Sequence, residues 1–318
     1  MDLTTSSLQS IGGIIPVMLT PFRADGKIDE EGLSNLVEWY LGHGAEALFA
    51  VCQSSEMQYL DLEERMFLAR QTMALAGNRA PVVVSGHVST SEEDQRRELR
   101  ALADLGPAAL VLVTNRIDPE NGGRETFLSR LQQILNWLPA DLPLGLYECP
   151  APFRRLLDDE EFCFCANSGR FVLLKDVSCD LLTVRRRVAL AQGTPLAVVN
   201  ANAAIAHEAF RAGSHGFGGV FTNFHPDLYA WLHAHRHEAS ERVDELARFL
   251  ALAAMAEPMG YPRLAKLYHK RIGTISCDFS RVIDYDIGER HWAAEVLLDH
   301  IAAGTERFRA RIAQGEPE

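Results

Sequence analysis

Short apolar runs alternate with longer amphipathic stretches from the start of the chain to beyond residue 220. The stretches between the runs have helical spacing, and the first of them places Leu33, Leu36, Val37, Tyr40 and Leu41 on one helix face. Strands that alternate with helices pair in parallel, because each crossover carries the chain back before the next strand begins. Eight runs qualify as strands, at residues 13–19, 47–52, 81–86, 108–113, 143–147, 171–175, 196–200 and 216–221.

Eight strand and helix units predict an α/β fold, a (β/α)8 TIM barrel. Asp61 with Glu64, and Thr90 with Glu93, have the spacing of capping boxes and mark two helix starts. The chain after the eighth strand is compatible with helix throughout, with a break at residues 257–262. We therefore divide the chain into an N-terminal tail (1–12), a barrel (13–238) and a C-terminal helical extension (239–318).

The composition indicates which binding partners and which cellular location to expect. The 318 residues carry 31 Lys and Arg against 43 Asp and Glu, a net charge of −12 without a basic cluster, which argues against nucleic acid. No apolar run approaches the roughly 18 residues of a membrane span. Six cysteines are too few to indicate a disulfide framework, so we expect a cytoplasmic protein with reduced thiols. We also expect no metal site, since the cluster of His233, His235 and His237 is typical of a solvated helix face.

Lys175 is the strongest candidate for a catalytic residue. Reactive groups of a TIM barrel lie at the C-terminal ends of its strands, and Lys175 ends the sixth predicted strand on the same face as Leu173. If that face is the barrel interior, desolvation lowers the pKa of the amine and leaves it able to attack a carbonyl. The alternative is a rim lysine that pairs with Asp176 or extends to water.

Residues with hydroxyl side chains lie at the ends of two other predicted strands. Tyr147 ends the fifth strand, where a phenol can carry protons to and from a substrate, although an isolated tyrosine is more often part of the core. Ser54 and Ser55 offer hydroxyls and turn amides that can hold a carboxylate, unless they form an ordinary polar loop. Gln53 belongs to the same turn and is a further candidate for substrate binding.

Three more residues lie near the predicted mouth. Arg116 and Asn202 can bind a polar or anionic tail of the substrate, or each can be a solvated rim residue. Gly218 on the eighth strand indicates a close backbone approach, either to a ligand or to the barrel wall.

These strand ends resemble a known family. The motif Y-x-x-P at 147–150, Lys175 in the following apolar strand, S-S-E at 54–56 and the opening P-V-M-L-T-P-F at 16–22 are similar to the dihydrodipicolinate synthase / N-acetylneuraminate lyase family. The similarity runs in colinear order from about residue 13 to residue 229, and the family's fold is a barrel with a helical tail.

The resemblance implies a class I aldolase-type lyase. Lys175 matches the lysine that forms an imine with pyruvate or another 2-oxo acid, so no separate cofactor is expected. Tyr147 matches the tyrosine that shuttles protons, and Ser54 matches the hydroxyl residue hydrogen-bonded to it. Ser54 and Ser55 lie in the turn whose amides receive the substrate carboxylate. The resemblance also implies a homo-oligomer, a dimer or a tetramer.

The sequence departs from the family pattern in four places. C-Q-S-S-E at 52–56 replaces G-T-T-G-E, no second aromatic follows the fourth strand at 113–117, Pro152 takes the place of an arginine, and N-A-N at 200–202 replaces a Gly-Asp pair. We therefore expect a reaction other than that of the lysine-pathway synthase. Aldol cleavage, aldol condensation and dehydration of a keto-deoxy sugar acid all remain open, and the alternative is a catalytically impaired member that binds a small metabolite.

Overall fold

A computed structural model describes residues 8–314. Eight short strands form its sheet, and all eight coincide with predicted runs. They are β1 (Gly13–Ile14), β2 (Leu48–Ala50), β3 (Val82–Val84), β4 (Ala109–Val113), β5 (Leu144–Tyr147), β6 (Phe171–Asp176), β7 (Ala197–Asn200) and β8 (Gly216–Phe217).

Helices follow the strands and then continue alone. Those of the barrel are α1 (Glu30–Gly42), α2 (Leu62–Ala76), α3 (Glu92–Ala103), α4 (Thr114–Ile117), α5 (Arg124–Trp137), α6 (Asp159–Asn167), α7 (Leu181–Leu190), α8 (Ala206–Arg211) and α9 (Pro226–Ala234). Those of the C-terminal extension are α10 (Glu241–Ala253), α11 (Arg263–Arg271), α12 (Ile287–Arg290) and α13 (Ala294–Gln314). No helix among the described residues is both long and apolar enough to cross a membrane.

The strands form the closed parallel barrel that the sequence predicts. Each strand pairs with its sequence neighbour from β2 to β8, and β8 pairs with β1. A parallel bridge between Val17 and Phe49 closes the ring between the first two strands. Pro16 explains why β1 is so short: it has no N–H for the ladder, although its carbonyl accepts a 3.0 Å hydrogen bond from Phe49.

β1 was expected to reach residue 19 and ends at Ile14, and two further boundaries also differ from the prediction. The eighth run was expected to reach residue 221, but β8 ends at Phe217 and residues 220–223 form a 3-10 turn. The helix start at Thr90 is wrong by one residue, because Ser91 caps α3 by accepting a 3.2 Å hydrogen bond from the Asp94 amide. The capping box of Asp61 and Glu64 is confirmed at the start of α2.

Both ends of the chain pack against the barrel. Ile11 is buried and donates a backbone hydrogen bond to Val172, so the described part of the tail covers the N-terminal end of β6, while residues 1–7 lie outside the described residues. The boundary that we place at residue 238 falls between α9 and α10. The predicted helix break is confirmed, since α10 ends at Ala253 and α11 begins at Arg263. This break lies beside the C-terminal ends of the strands.

Candidate functional site

Lys175 lies at the C-terminal end of β6 with its side chain 5% exposed. Its Nζ lies 4.4 Å from the ring centroid of Tyr147 and 5.7 Å from that of Phe49. Burial is the dominant influence on this amine and lowers its pKa, against weaker opposing effects of Cys52, Cys149 and Glu257. The sequence prediction of an inward-facing, desolvated lysine thus agrees with the structure.

The alternative that Lys175 pairs with Asp176 is wrong. Strand alternation turns Asp176 outward, where its carboxylate accepts a 2.5 Å hydrogen bond from Arg187. Arg187 also binds Glu148 through both of its terminal nitrogens, and all three side chains are almost fully buried. This ion cluster outside the barrel satisfies the neighbouring carboxylates, and within the described residues Lys175 forms no ion pair with a carboxylate.

Tyr147 stands beside Lys175 in the sheet. The two residues are register partners between β5 and β6, so their side chains share the interior face. The phenol donates a long hydrogen bond of 3.4 Å to Oε1 of Gln53, which also accepts from the Cys149 thiol at 3.1 Å. Burial raises the pKa of the Tyr147 phenol well above its ordinary value. Tyr147 is therefore held as a neutral proton donor beside the amine.

The two serines of the turn after β2 have different surroundings. Ser54 lines the cavity in front of Lys175, as does Gln53. Ser55 does not: its hydroxyl donates to the Met18 carbonyl at 2.7 Å and accepts from the Cys52 amide at 3.1 Å. The hydroxyl thus holds the turn against the first strand, and the Ser55 amide donates to the Cys52 carbonyl at 3.0 Å, which corrects the prediction that Ser55 binds substrate.

A second phenol, which sequence reasoning missed, completes the site. Tyr261 from the break between α10 and α11 lines the cavity together with Ser54, whose hydroxyl acts to lower the pKa of this phenol. The Ser54 hydroxyl was expected to bind Tyr147, whereas in the structure the Tyr147 phenol donates to Gln53 and Ser54 acts on the pKa of Tyr261. The available signal was the helix break itself, since Tyr261 is its only aromatic residue.

Asn223 orients the phenol of Tyr261. Its Nδ2 donates to the Tyr261 oxygen at 3.0 Å, while its Oδ1 accepts from Tyr40 at 2.5 Å. Because an amide nitrogen only donates, the Tyr261 oxygen accepts there and the phenol proton is not used by Asn223. Burial raises the pKa of Tyr261 well above its ordinary value, with the Ser54 hydrogen bond opposing this rise.

Glu56 binds residues of the C-terminal extension and so holds the extension next to this site. This fully buried carboxylate binds Lys266 on α11, and it also accepts hydrogen bonds from the Arg281 amide at 2.6 Å and the Ser280 hydroxyl at 3.0 Å. Burial lowers the pKa of Lys266 to about 8 even though its charge faces Glu56. The third residue of the S-S-E motif therefore has a structural role that ties the strand-end turn to the extension.

The cavity in front of Lys175 has a volume of about 840 Å³. Arg116 and Asn202 line it as predicted. Arg116 is half-buried, its pKa is lowered by burial, and it forms no ion pair with the carboxylates of residues 8–314. Gly218 is absent from the lining, where its neighbour Gly219 appears instead. A Cβ at Gly218 would lie 3.4 Å from the Val199 side chain, an ordinary contact, so the structure favours the barrel wall over a ligand as the neighbour of Gly218.

No group of three His, Cys, Asp or Glu side chains within the described part of the chain is arranged to hold a metal ion. Two of the three clustered histidines near residue 235 contact aromatic rings: His233 lies against Phe210 and His235 stacks on Trp231.

Comparison with known proteins places the chain in a family. The sequence profile described as the Dihydrodipicolinate synthetase family matches residues 10–276. The chain belongs to this family. A 4-hydroxy-tetrahydrodipicolinate synthase from Alcanivorax borkumensis is 34% identical over 142 residues, 44% of this chain and 46% of that protein. Another from Stenotrophomonas maltophilia is 27% identical over 92% of this chain and 97% of that protein.

Solved structures agree on the fold. The chloride-inhibited dihydrodipicolinate synthase from Acinetobacter baumannii, complexed with pyruvate, matches with a TM-score of 0.79 at 22% identity. The match covers 91% of this chain and 98% of that one. The resemblance read from the strand-end motifs and the barrel with a helical extension are both confirmed.

As a member of the dihydrodipicolinate synthetase family, the chain is a class I aldolase-type lyase. The expectation that its reaction differs from that of the lysine-pathway synthase has no support in these comparisons, because the relatives named above are themselves 4-hydroxy-tetrahydrodipicolinate synthases.

Proposed function

We propose that Lys175 forms an imine with pyruvate or another 2-oxo acid and that the enzyme makes or breaks a bond at C3 of this acid. The observation that carries the proposal is a buried amine of lowered pKa at the bottom of a large cavity, against the ring of Tyr147 and with no carboxylate ion pair among the described residues. A neutral amine is the nucleophile that carbonyl condensation requires.

The proposed chemistry proceeds through an enamine. Nζ adds to the ketone carbon, the ketone oxygen takes up a proton, and the resulting carbinolamine loses water to give the iminium. The iminium withdraws electrons more strongly than the ketone, so a proton or a carbon substituent leaves C3 and its electron pair forms the enamine. The imine itself is the electron sink, and the proposal requires no separate cofactor.

Tyr147 and Tyr261 have complementary positions for the proton transfers. Tyr147 is nearest to the amine and is suited to the carbinolamine oxygen. Tyr261 and Ser54 lie on the neighbouring side of the cavity and can exchange a proton with a substrate oxygen. The second aromatic that is missing after the fourth strand is thereby replaced, in this proposal, by a residue of the same chain. Arg116 supplies an uncompensated positive charge for an anionic group of the substrate.

Reductive trapping tests the imine. The protein is incubated with pyruvate, reduced with borohydride and digested, and the modified peptide is identified by mass spectrometry. We expect one adduct, on Lys175, and none in Lys175→Ala. Lys266 is an internal control, because it is equally buried but bound to Glu56. If a panel of 2-oxo acids leaves Lys175 unmodified, the proposal fails and the chain is instead a family member that binds a metabolite without imine chemistry.

We also propose that the enzyme is a homo-oligomer, a dimer or a tetramer, in the cytoplasm. Trp292 is 90% exposed and Val296, close by at the start of α13, is 57% exposed, which is typical of a surface covered by another subunit. All six cysteines are free thiols in the structure, as expected for a reducing compartment. Sedimentation of the purified protein measures the number of subunits, and a monomer at micromolar concentration would contradict the proposal.

A further inference from the structure

The cavity is much larger than a 2-oxo acid such as pyruvate requires. Its volume of about 840 Å³ lies toward the upper end of small-molecule sites, which span roughly 300–1,000 Å³. Space therefore remains beside Lys175 for a second reactant or for a large substituent on C3. The side chains that line this space determine which class of reactant it binds.

One side of the cavity is formed by apolar side chains from three elements. Two follow β7, two follow β8, and two come from α10 and the 3-10 turn after it. α10 packs directly against the turn that follows β7, so the three elements form one surface. We call this surface the apolar wall; it consists of Ala201, Ala204, Val220, Phe221, Ala251 and Met255.

Two backbone amides of the apolar wall are already engaged within the protein. The Ala201 amide donates to the Asp176 carbonyl at 3.0 Å, and the Ala204 amide donates to the Asn202 side chain at 2.9 Å. The polar side chains of Asn202 and Glu257 also line the cavity, next to the wall. A row of substrate hydroxyls placed against this surface would lose its hydrogen bonds to water without replacement, which is unfavourable.

Met255 extends the wall to the mouth of the cavity. Its side chain is 70% exposed although it lines the cavity, and an exposed, flexible thioether is suited to contact with an apolar ligand. Leu252, three residues earlier and 72% exposed, does not line the cavity. The two residues thus provide a matched pair, one inside the proposed binding surface and one outside it.

We infer that the second reactant is an aldehyde with an aromatic or other apolar group, which the apolar wall binds, rather than a polyhydroxylated sugar aldehyde. This inference rests on the proposed imine at Lys175. In the condensation direction, C3 of the enamine bonds to the aldehyde carbon, the aldehyde oxygen gains a proton, and water hydrolyses the iminium to release the product and the free amine. In the cleavage direction the same bond breaks to give the aldehyde and the enamine.

The test compares benzaldehyde with glyceraldehyde as partners of pyruvate in the wild type, Met255→Asp and Leu252→Asp. We expect kcat/KM for benzaldehyde to exceed that for glyceraldehyde in the wild type. We expect Met255→Asp to lower the ratio of the two kcat/KM values by about 10-fold, the scale of discrimination by an apolar pocket contact. Leu252→Asp should leave the ratio at its wild-type value.

Borohydride trapping with pyruvate alone separates the two possible failures. If the wild type gives no adduct on Lys175, the proposed imine itself is wrong. If the adduct forms but glyceraldehyde is the better partner, or if both substitutions change the ratio equally, the role of the apolar wall is wrong and the imine stands.

Discussion

Tyr147 touches the reactive amine through its ring and keeps its own proton because burial raises its pKa. Removing only the hydroxyl in Tyr147→Phe should preserve packing and reduce turnover by about 10²- to 10⁴-fold, as expected for loss of a general acid and base. Steady-state kinetics with pyruvate and an accepted aldehyde measures the loss. A rate within twofold of the wild type would show that Tyr147 is only structural.

Tyr261 has a different predicted role, since it lines the cavity together with Ser54 and is oriented by Asn223. In Tyr261→Phe we expect normal trapping of pyruvate on Lys175 but about 10²-fold slower exchange of the C3 protons of pyruvate with deuterated water. Tyr268→Phe is the control, because its hydroxyl binds the Phe224 carbonyl on the same extension without lining the cavity. Equal slowing in both variants would contradict the relay.

At the residue scale, the sequence predicts which side chains at the strand ends face the barrel interior, because side chains alternate along a strand. Lys175 and Tyr147 end adjacent parallel strands on the same face, and the structure makes them register partners. The contacts of Ser54 were not predictable in this way. They depend on Tyr261, which is distant in sequence and reaches Ser54 only after the extension has folded back across the mouth.

The ion pair of Glu56 and Lys266 attaches the C-terminal extension to the turn after β2. Lys266→Met removes one partner of a buried pair and should lower the free energy of unfolding by about 3 kcal/mol or more. Lys270→Met breaks the half-exposed pair with Asp278, which should be worth at most about 1 kcal/mol. Urea denaturation of both variants measures the two losses, and equal losses would contradict the anchoring role.

Element boundaries follow local chemistry that the sequence shows only in part. The capping box at Asp61 is correct because both partners lie within the sequence motif. At α3, Thr90 and Ser91 are both suitable caps, and the structure shows that Ser91 is the one that binds the Asp94 amide. The short β1 likewise reflects Pro16, which interrupts the ladder within a run that is apolar enough to be a longer strand.

At the scale of the whole molecule, the barrel was predictable because each of its eight units repeats the same local pattern. The position of the C-terminal extension was not, because amphipathic helices can pack on several faces of a barrel. Its fold-back has two consequences for the site: it supplies Tyr261, and it builds part of the apolar wall through α10. Closure of the barrel around Lys175 is also what removes the amine from water.

The most direct test of the account is the pH dependence of imine formation, measured as the rate of reductive trapping of pyruvate on Lys175. Raising the pH converts the ammonium to the reactive amine, so a lowered pKa shifts the rise in rate toward lower pH. We predict a midpoint clearly below about 10.4, the ordinary value for lysine. A midpoint at or above that value would show a solvated or ion-paired amine and would contradict the account.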